Sequence, residues 1–344
     1  MSMVSDATQF TAPPRADWRG AVAPYQGADA ARALLQLTTT LAMLGGALWL
    51  MYAAQGQPAA WALPLTLLLA LPAAGLFVRT FILMHDCAHG SFLPWRRVND
   101  AVGFVTGVLT LTPYGQWRRD HALHHASSGD LDRRGHGDVP TLTVREYLAR
   151  TPRGRRTYRL LRHPLSLLLV GPLYLMMSQR VRPRSKATGA REAASVLATN
   201  VAIVLLLALV LVTLGWRAVI LVYFPAFYLA AMAGVWLFYV QHQFEDAYWE
   251  SHEEWDYVTA ALRGSSHLRL PWLLQWFSGS IGLHHIHHLS PRIPNHQLQR
   301  CHDENPLFQS APVVTMRSGM AALRLALWDE ERRRLVRFDE VAAA

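Results

Sequence analysis

Residues 34–54 form a run of 21 residues without a charge. As an α-helix rising 1.5 Å per residue this run is about 31 Å long, the thickness of a bilayer's hydrocarbon layer. Three further runs, 61–84, 194–215 and 218–240, are of comparable length and carry one arginine, Arg79, inside the second. Backbone polar groups must pair internally in lipid, so these runs predict four membrane-crossing helices. The gaps at 55–60 and 216–217 are short, which arranges the helices as two hairpins. A chain with 51% hydrophobic and 17% charged residues agrees with that reading. Three shorter apolar stretches, 101–112, 164–177 and 271–283, have the length of interfacial or re-entrant helices. The first thirty residues are polar and Pro-rich and lack the apolar core of a cleavable leader, so the first span is expected to target the protein.

A net charge of +9 would point to nucleic acid in a soluble chain, but its distribution argues otherwise. Residues 118–191 hold sixteen Lys or Arg against five acids, whereas the two gaps between spans hold one Arg. The positive-inside rule places the Arg-rich segment and both termini in the cytoplasm of a cell whose inner membrane carries the chain. The arginines then serve topology and contact with anionic headgroups, or dock an acidic protein partner. Both cysteines, Cys87 and Cys301, fall on the reducing side, so no disulfide is expected. Arg79, six residues before His85, is expected to snorkel to headgroups.

The sixteen histidines are the informative feature. His85 and His89 are four apart at the end of the second span and share a helix face. His121, His124 and His125 repeat the pattern with spacings of three and four. His284, His285, His287 and His288 bring a third cluster on the far side of the second pair of spans. Each cluster falls at the cytoplasmic boundary. Imidazole suits iron, zinc, copper or nickel, so ligand type alone does not name the metal. His242 directly follows the fourth span, at the boundary that His85 occupies after the second. Its neighbours Gln241, Gln243 and Glu245 are placed to hold its ring by hydrogen bonds.

The strings HDCAH, HALHH and HHIHH, with the flanks VRTFILMHDCAHGSF, LDRRGHGD, FYVQHQFEDAYW and GLHHIHHLSPRIPN, resemble the membrane fatty-acid desaturases, bacterial acyl-lipid desaturases in particular. The resemblance covers residues 61–328. It implies an all-α integral membrane fold, four transmembrane helices under a cytoplasmic helical cap (85–193 and 241–344) that holds a histidine-rich di-iron site and an acyl tunnel. The ligands it implies are His85, His89, His121, His124, His125, His284, His287 and His288, with His242 as a ninth. It further implies O2 as co-substrate, two electrons from a ferredoxin, flavodoxin or cytochrome-type donor docking at the basic face, and a membrane lipid or other acyl carrier as substrate. Breaking an unactivated C–H bond needs a redox metal, which favours iron over closed-shell zinc. Asp86, Asp130, Asp138, Glu245 and Asp246 are candidates to orient the imidazoles.

The chain departs from that pattern at His285, an additional imidazole in the third box, and at His267 and His296, where similar sequences often carry Tyr. These three, with His136, His163, His252 and His302, are expected to be structural or exposed. A related hydroxylase or ketolase would use much the same iron site. A zinc hydrolase would not need nine histidines. A haem or transport protein would place its polar groups inside the spans.

Overall fold

The computed structural model describes residues 15–135, 139–181 and 189–342. Four of its helices are long and apolar enough to cross a membrane: Ala30–Ala54, Ala59–His89, Ala190–Leu214 and Ala218–His242. They start at or up to four residues before the expected runs and end within five residues of them. The first starts where the Asp29 carboxylate accepts the Arg32 N–H at 3.0 Å, a side-chain N-cap. The fourth opens as a π-helix, Ala218–Tyr223, and becomes α-helical at Phe224. Pro225 has no N–H to give to the turn below it, which accounts for the widened start.

The second helix is the centre of the bundle and packs against the first, the fourth and the helix Arg96–Leu109. Its 31 residues span about 46 Å, roughly 16 Å more than the hydrocarbon layer, so its last turns project beyond the apolar region. It stops because Gly90 takes φ +70°, and the N–H groups of Gly90 and Ser91 fold back onto the Cys87 and Asp86 carbonyls at 3.1 and 3.0 Å. This Schellman closure ends the helix immediately after His89. The third span behaves differently: only Thr199 and Ile203 are buried. Val204, Leu205 and Val212, the last 86% exposed, face outward in a way that lipid tolerates and water does not.

The helices Pro152–Leu161 and Ser166–Arg180 bend by 66° across the break before Pro164, leaving Leu160, Leu161, Leu165 and Tyr174 exposed. This bent pair contains the expected short stretch 164–177. In 271–283 only Trp272–Phe277 is helical. The all-α expectation needs correction, because two small sheets clasp the polar segments. One orders Leu142–Thr143, Leu327–Asp329 and Arg334–Val336; the other pairs His267–Arg269 with Val313–Thr315 in parallel. Short strands of this kind bring distant segments together with backbone bonds and leave little periodicity to read.

Arg79 does not snorkel. It is buried, donates to Thr40 Oγ1 at 3.2 Å and to the Trp276 carbonyl, and lies 4.3 Å from the Trp276 ring. The guanidinium thus ties the first and second spans to the helix Trp272–Phe277 and caps that helix's C-terminal end. Arg79→Met removes the charged bonds to Thr40 and to the Trp276 carbonyl, which keeps only the Gly279 N–H at 3.2 Å, and should lower stability by about 1–3 kcal/mol. Thermal unfolding in detergent measures this, and an unchanged midpoint would return Arg79 to a headgroup role.

Candidate metal centre

Three helix segments and one helix end deliver the histidines. His85 and His89 occupy the projecting end of the second span. His121, His124 and His125 lie on Tyr114–Ser127, and the third box is the buried helix His284–Leu289. That last helix is fixed by its approach. The Leu268 N–H bonds the Gly282 carbonyl at 2.7 Å, and a Cβ at Gly282 would stand 2.5 Å from the Leu268 carbonyl oxygen. Only glycine allows the two backbones so close. His242 is the last residue of the fourth span.

The nine imidazoles gather into two groups: His85, His89, His121, His125 and His287 in one, His124, His242, His284 and His288 in the other. Within each group the candidate ligand nitrogens lie within 4.8 Å of one another. Successive helix residues are about 100° apart. His124 and His125 therefore turn to different groups, as do His287 and His288, and the rings of His125 and His288 stack between the groups at 4.2 Å.

The nitrogen contacts favour an ion over a hydrogen-bond network. His287 Nε2 stands 3.1 Å from His85 Nε2 and 3.0 Å from His125 Nε2, which is also 3.1 Å from His121 Nε2. His242 Nε2 is 3.1 Å from His124 Nε2 and 2.9 Å from His284 Nε2. Each such nitrogen carries one proton or one lone pair, so it cannot serve two partners well. The Nε2 atoms of His89 and His288 are buried without a hydrogen-bond partner. Nitrogens bound about 2.1 Å from a shared ion stand roughly 3.0–3.4 Å apart. Nitrogen donors at this spacing, two of them orphaned, suit a borderline transition metal such as iron. Burial, reinforced by the neighbouring imidazoles, holds His121, His125, His284, His287 and His288 well below the usual histidine range. They are therefore neutral with lone pairs available.

The outer nitrogens are held unevenly. His85 Nδ1 lies 3.2 Å from Asp86 Oδ1, and Asp86 Oδ2 accepts from the Asn295 N–H and Nδ2 at 2.9 and 2.8 Å. One buried carboxylate thus joins the first box to the segment after the third. His242 Nδ1 is 3.3 Å from the Gly264 carbonyl and 3.4 Å from Ser128 Oγ. Those two partners replace the expected Gln241, Gln243 and Glu245. Gln241 bonds the Ile281 carbonyl at 3.0 Å, and Gln243 turns to Thr141 and Arg162.

Other expected carboxylates stand elsewhere. Asp130 is buried but holds His252 Nδ1 at 2.8 Å, an imidazole outside both groups. Glu245 and Asp246 are exposed, Glu245 pairing with Arg334, so neither orients a box imidazole. Asp138 and His136 lie outside the described residues. His163 and His252 are exposed, and His296 is half-buried. His285 bonds the Phe308 carbonyl at 3.0 Å and faces His302 and His267, away from both groups. One neighbour went unanticipated although its spacing was readable: Trp117, one turn before His121, stacks on that ring at 4.3 Å.

A family model described as fatty acid desaturase matches residues 58–318. A fatty acid desaturase of Bacillus subtilis is 42% identical over 317 residues, 92% of this chain and 89% of the relative. The acyl-lipid omega-3 desaturase (cytochrome b5) of Arabidopsis thaliana is 31% identical over 65% of this chain and 59% of its own length. The sn-1 acyl-lipid omega-3 desaturase (ferredoxin) of Synechocystis is 29% identical over 65% and 63%. With the match extending over most of the chain and the paired histidine groups lying within it, this protein is an oxidoreductase that belongs to the fatty acid desaturase family.

Proposed function

We propose that the nine imidazoles hold two iron ions, five on one and four on the other, and that the enzyme places a cis double bond in a membrane-lipid acyl chain. The reaction removes two hydrogens from adjacent methylenes and, with two protons and two electrons from an external donor, reduces O2 to two waters. When bound, the iron pair supplies the oxidising power that an unactivated C–H bond requires. A ferredoxin, flavodoxin or cytochrome-type protein is the electron source, in keeping with the relatives named for ferredoxin and cytochrome b5.

The chain's own residues do two things. Neutral, buried imidazoles offer lone pairs without first losing a proton. Asp86 and the Gly264 carbonyl accept the Nδ1 protons of His85 and His242, which leaves Nε2 free on each ring.

The observation that carries this reading is the alternation of adjacent box residues between two abutting nitrogen groups. Purified protein is expected to contain about two irons per chain. With reductant and O2 it should convert a saturated acyl chain to a cis-monounsaturated one. Stoichiometric zinc with activity independent of O2 would falsify this, and a hydroxylated main product would identify a hydroxylase or ketolase instead. Expression in a desaturase-deficient host, with double bonds located by mass spectrometry, fixes the regiochemistry.

Assignment of His242 as the ninth ligand makes a separate claim. His242→Ala should be inactive and iron-deficient, whereas His285→Ala should retain substantial iron and activity at equal expression. The reverse pattern would exchange their roles.

The four spans are proposed as two hairpins with the histidine groups and both termini in the cytoplasm. Cys87 and Cys301 are buried, and burial with the nearby Glu304 carboxylate pushes the Cys301 thiol up to about 12, so neither native cysteine competes for a maleimide. An impermeant maleimide should label Gln57→Cys from outside intact cells and Glu331→Cys only after lysis. Labelling of Glu331→Cys in intact cells would invert the topology.

A further inference from the structure

Arg162 ends the helix Pro152–Leu161 and is 3% exposed, a cation buried in the polar cap. Every acceptor on it among the described residues is neutral. Nη1 donates to the Pro140 carbonyl at 3.2 Å; Nη2 donates to Tyr239 Oη at 3.0 Å, Gln243 Oε1 at 2.9 Å and the Leu325 carbonyl at 3.0 Å. The guanidinium also lies 5.3 Å from the Tyr239 ring. Tyr239 and Gln243 are one turn apart at the end of the fourth span, and His242 sits between them.

We propose that Arg162 is a positioning residue that locks this last turn and thereby aims His242 into the four-histidine group. The inference rests on the reading of the nine histidines as iron ligands. His242 needs such a device because its own outer contacts, at 3.3 and 3.4 Å, lie at the long limit of hydrogen bonding. A planar fork reaches acceptors on three chain segments at once, which an ammonium does not. The five-histidine group has its own anchor in Asp86 and owes nothing to Arg162.

The role is geometric, and part of the hub stays hydrogen-bonded without the guanidinium. The Leu325 carbonyl keeps Tyr239 Oη at 2.6 Å, while the Tyr158 and Thr141 hydroxyls near the Pro140 carbonyl and Gln243 Oε1 make shorter donations to the Ala326 and Val139 carbonyls, at 2.7 and 3.0 Å. Arg162→Met therefore removes the grip and its charge together.

The test reads iron per chain and the Mössbauer spectrum of the full-length protein in detergent. Arg162→Met and Gln243→Leu should fall from about two irons to about one, with the surviving signal unchanged, while Tyr158→Phe in the same hub keeps both. Arg162→Lys, charged but without the fork, should lose the same iron. Should Arg162→Met fail to accumulate, Gln243→Leu against Tyr158→Phe decides. Two irons in every variant, equal loss in Tyr158→Phe, or full rescue by lysine overturns the inference. Absence of iron from the wild type overturns the reading of the nine histidines, and this inference with it.

Discussion

Nine imidazoles cannot be packed face to edge unless something satisfies their nitrogens. Burial and neighbouring rings oppose protonation of His121, His125, His284, His287 and His288, and each Nε2 has only one proton or one lone pair to offer. The contacts His85–His287–His125–His121 ask for more than that. The proposed pair of ions would resolve the conflict, because one cation accepts several lone pairs from directions that hydrogen bonds cannot combine. The arrangement also accounts for the length of the second span, whose surplus turns carry His85 and His89 past the hydrocarbon to meet the other boxes.

The same requirement organises the cap. Its helices are short, and several are held by single polar devices rather than by apolar area. Asp86 joins Asn295 to the first box; Asp130 joins His252 to the segment after the second; Arg79 joins two spans to Trp272–Phe277. Each is a buried charge with hydrogen bonds to fixed partners, so each sets a geometry as well as a stability. Around them the apolar residues on the second and fourth spans, such as Phe77, Ala226, Ala230 and Tyr239, pack into one core. The third span adds little to that core and offers its leucines and valines to lipid.

Much of this was legible in the sequence for physical reasons. Hydrocarbon thickness sets helix length, so the four spans could be bounded to within a few residues. Helix periodicity puts histidines three and four apart on one face, so the boxes could be grouped. His242 was reachable because it ends a span, and the exclusion of His285 because the pattern needs no tenth ring. What escaped depends on contacts between segments far apart in the chain. The Gly264 carbonyl behind His242, the burial of Arg79 and the strands joining residues 142 to 327 and 267 to 313 have no local spacing that announces them. Carboxylates near the boxes in sequence were poor guides: Glu245 follows His242 by three residues yet leaves the helix and turns to Arg334.

That contrast bears on how the two histidine groups differ. The first draws its rings from three boxes, and its Asp86 accepts from His85 while bridging to Asn295, so orientation is built in at the level of the side chain. In the second, His124 and His288 are carried by helices that also serve the first group, and His284 opens the third-box helix. Only His242 arrives on an element of its own. Its ring is held at two long contacts, so the direction of the whole helix end helps set where it points. A displacement of the fourth span would therefore move one nitrogen of the second group and none of the first. The two groups need not respond alike to the same disturbance, and the point at which they diverge is the junction between membrane and cap.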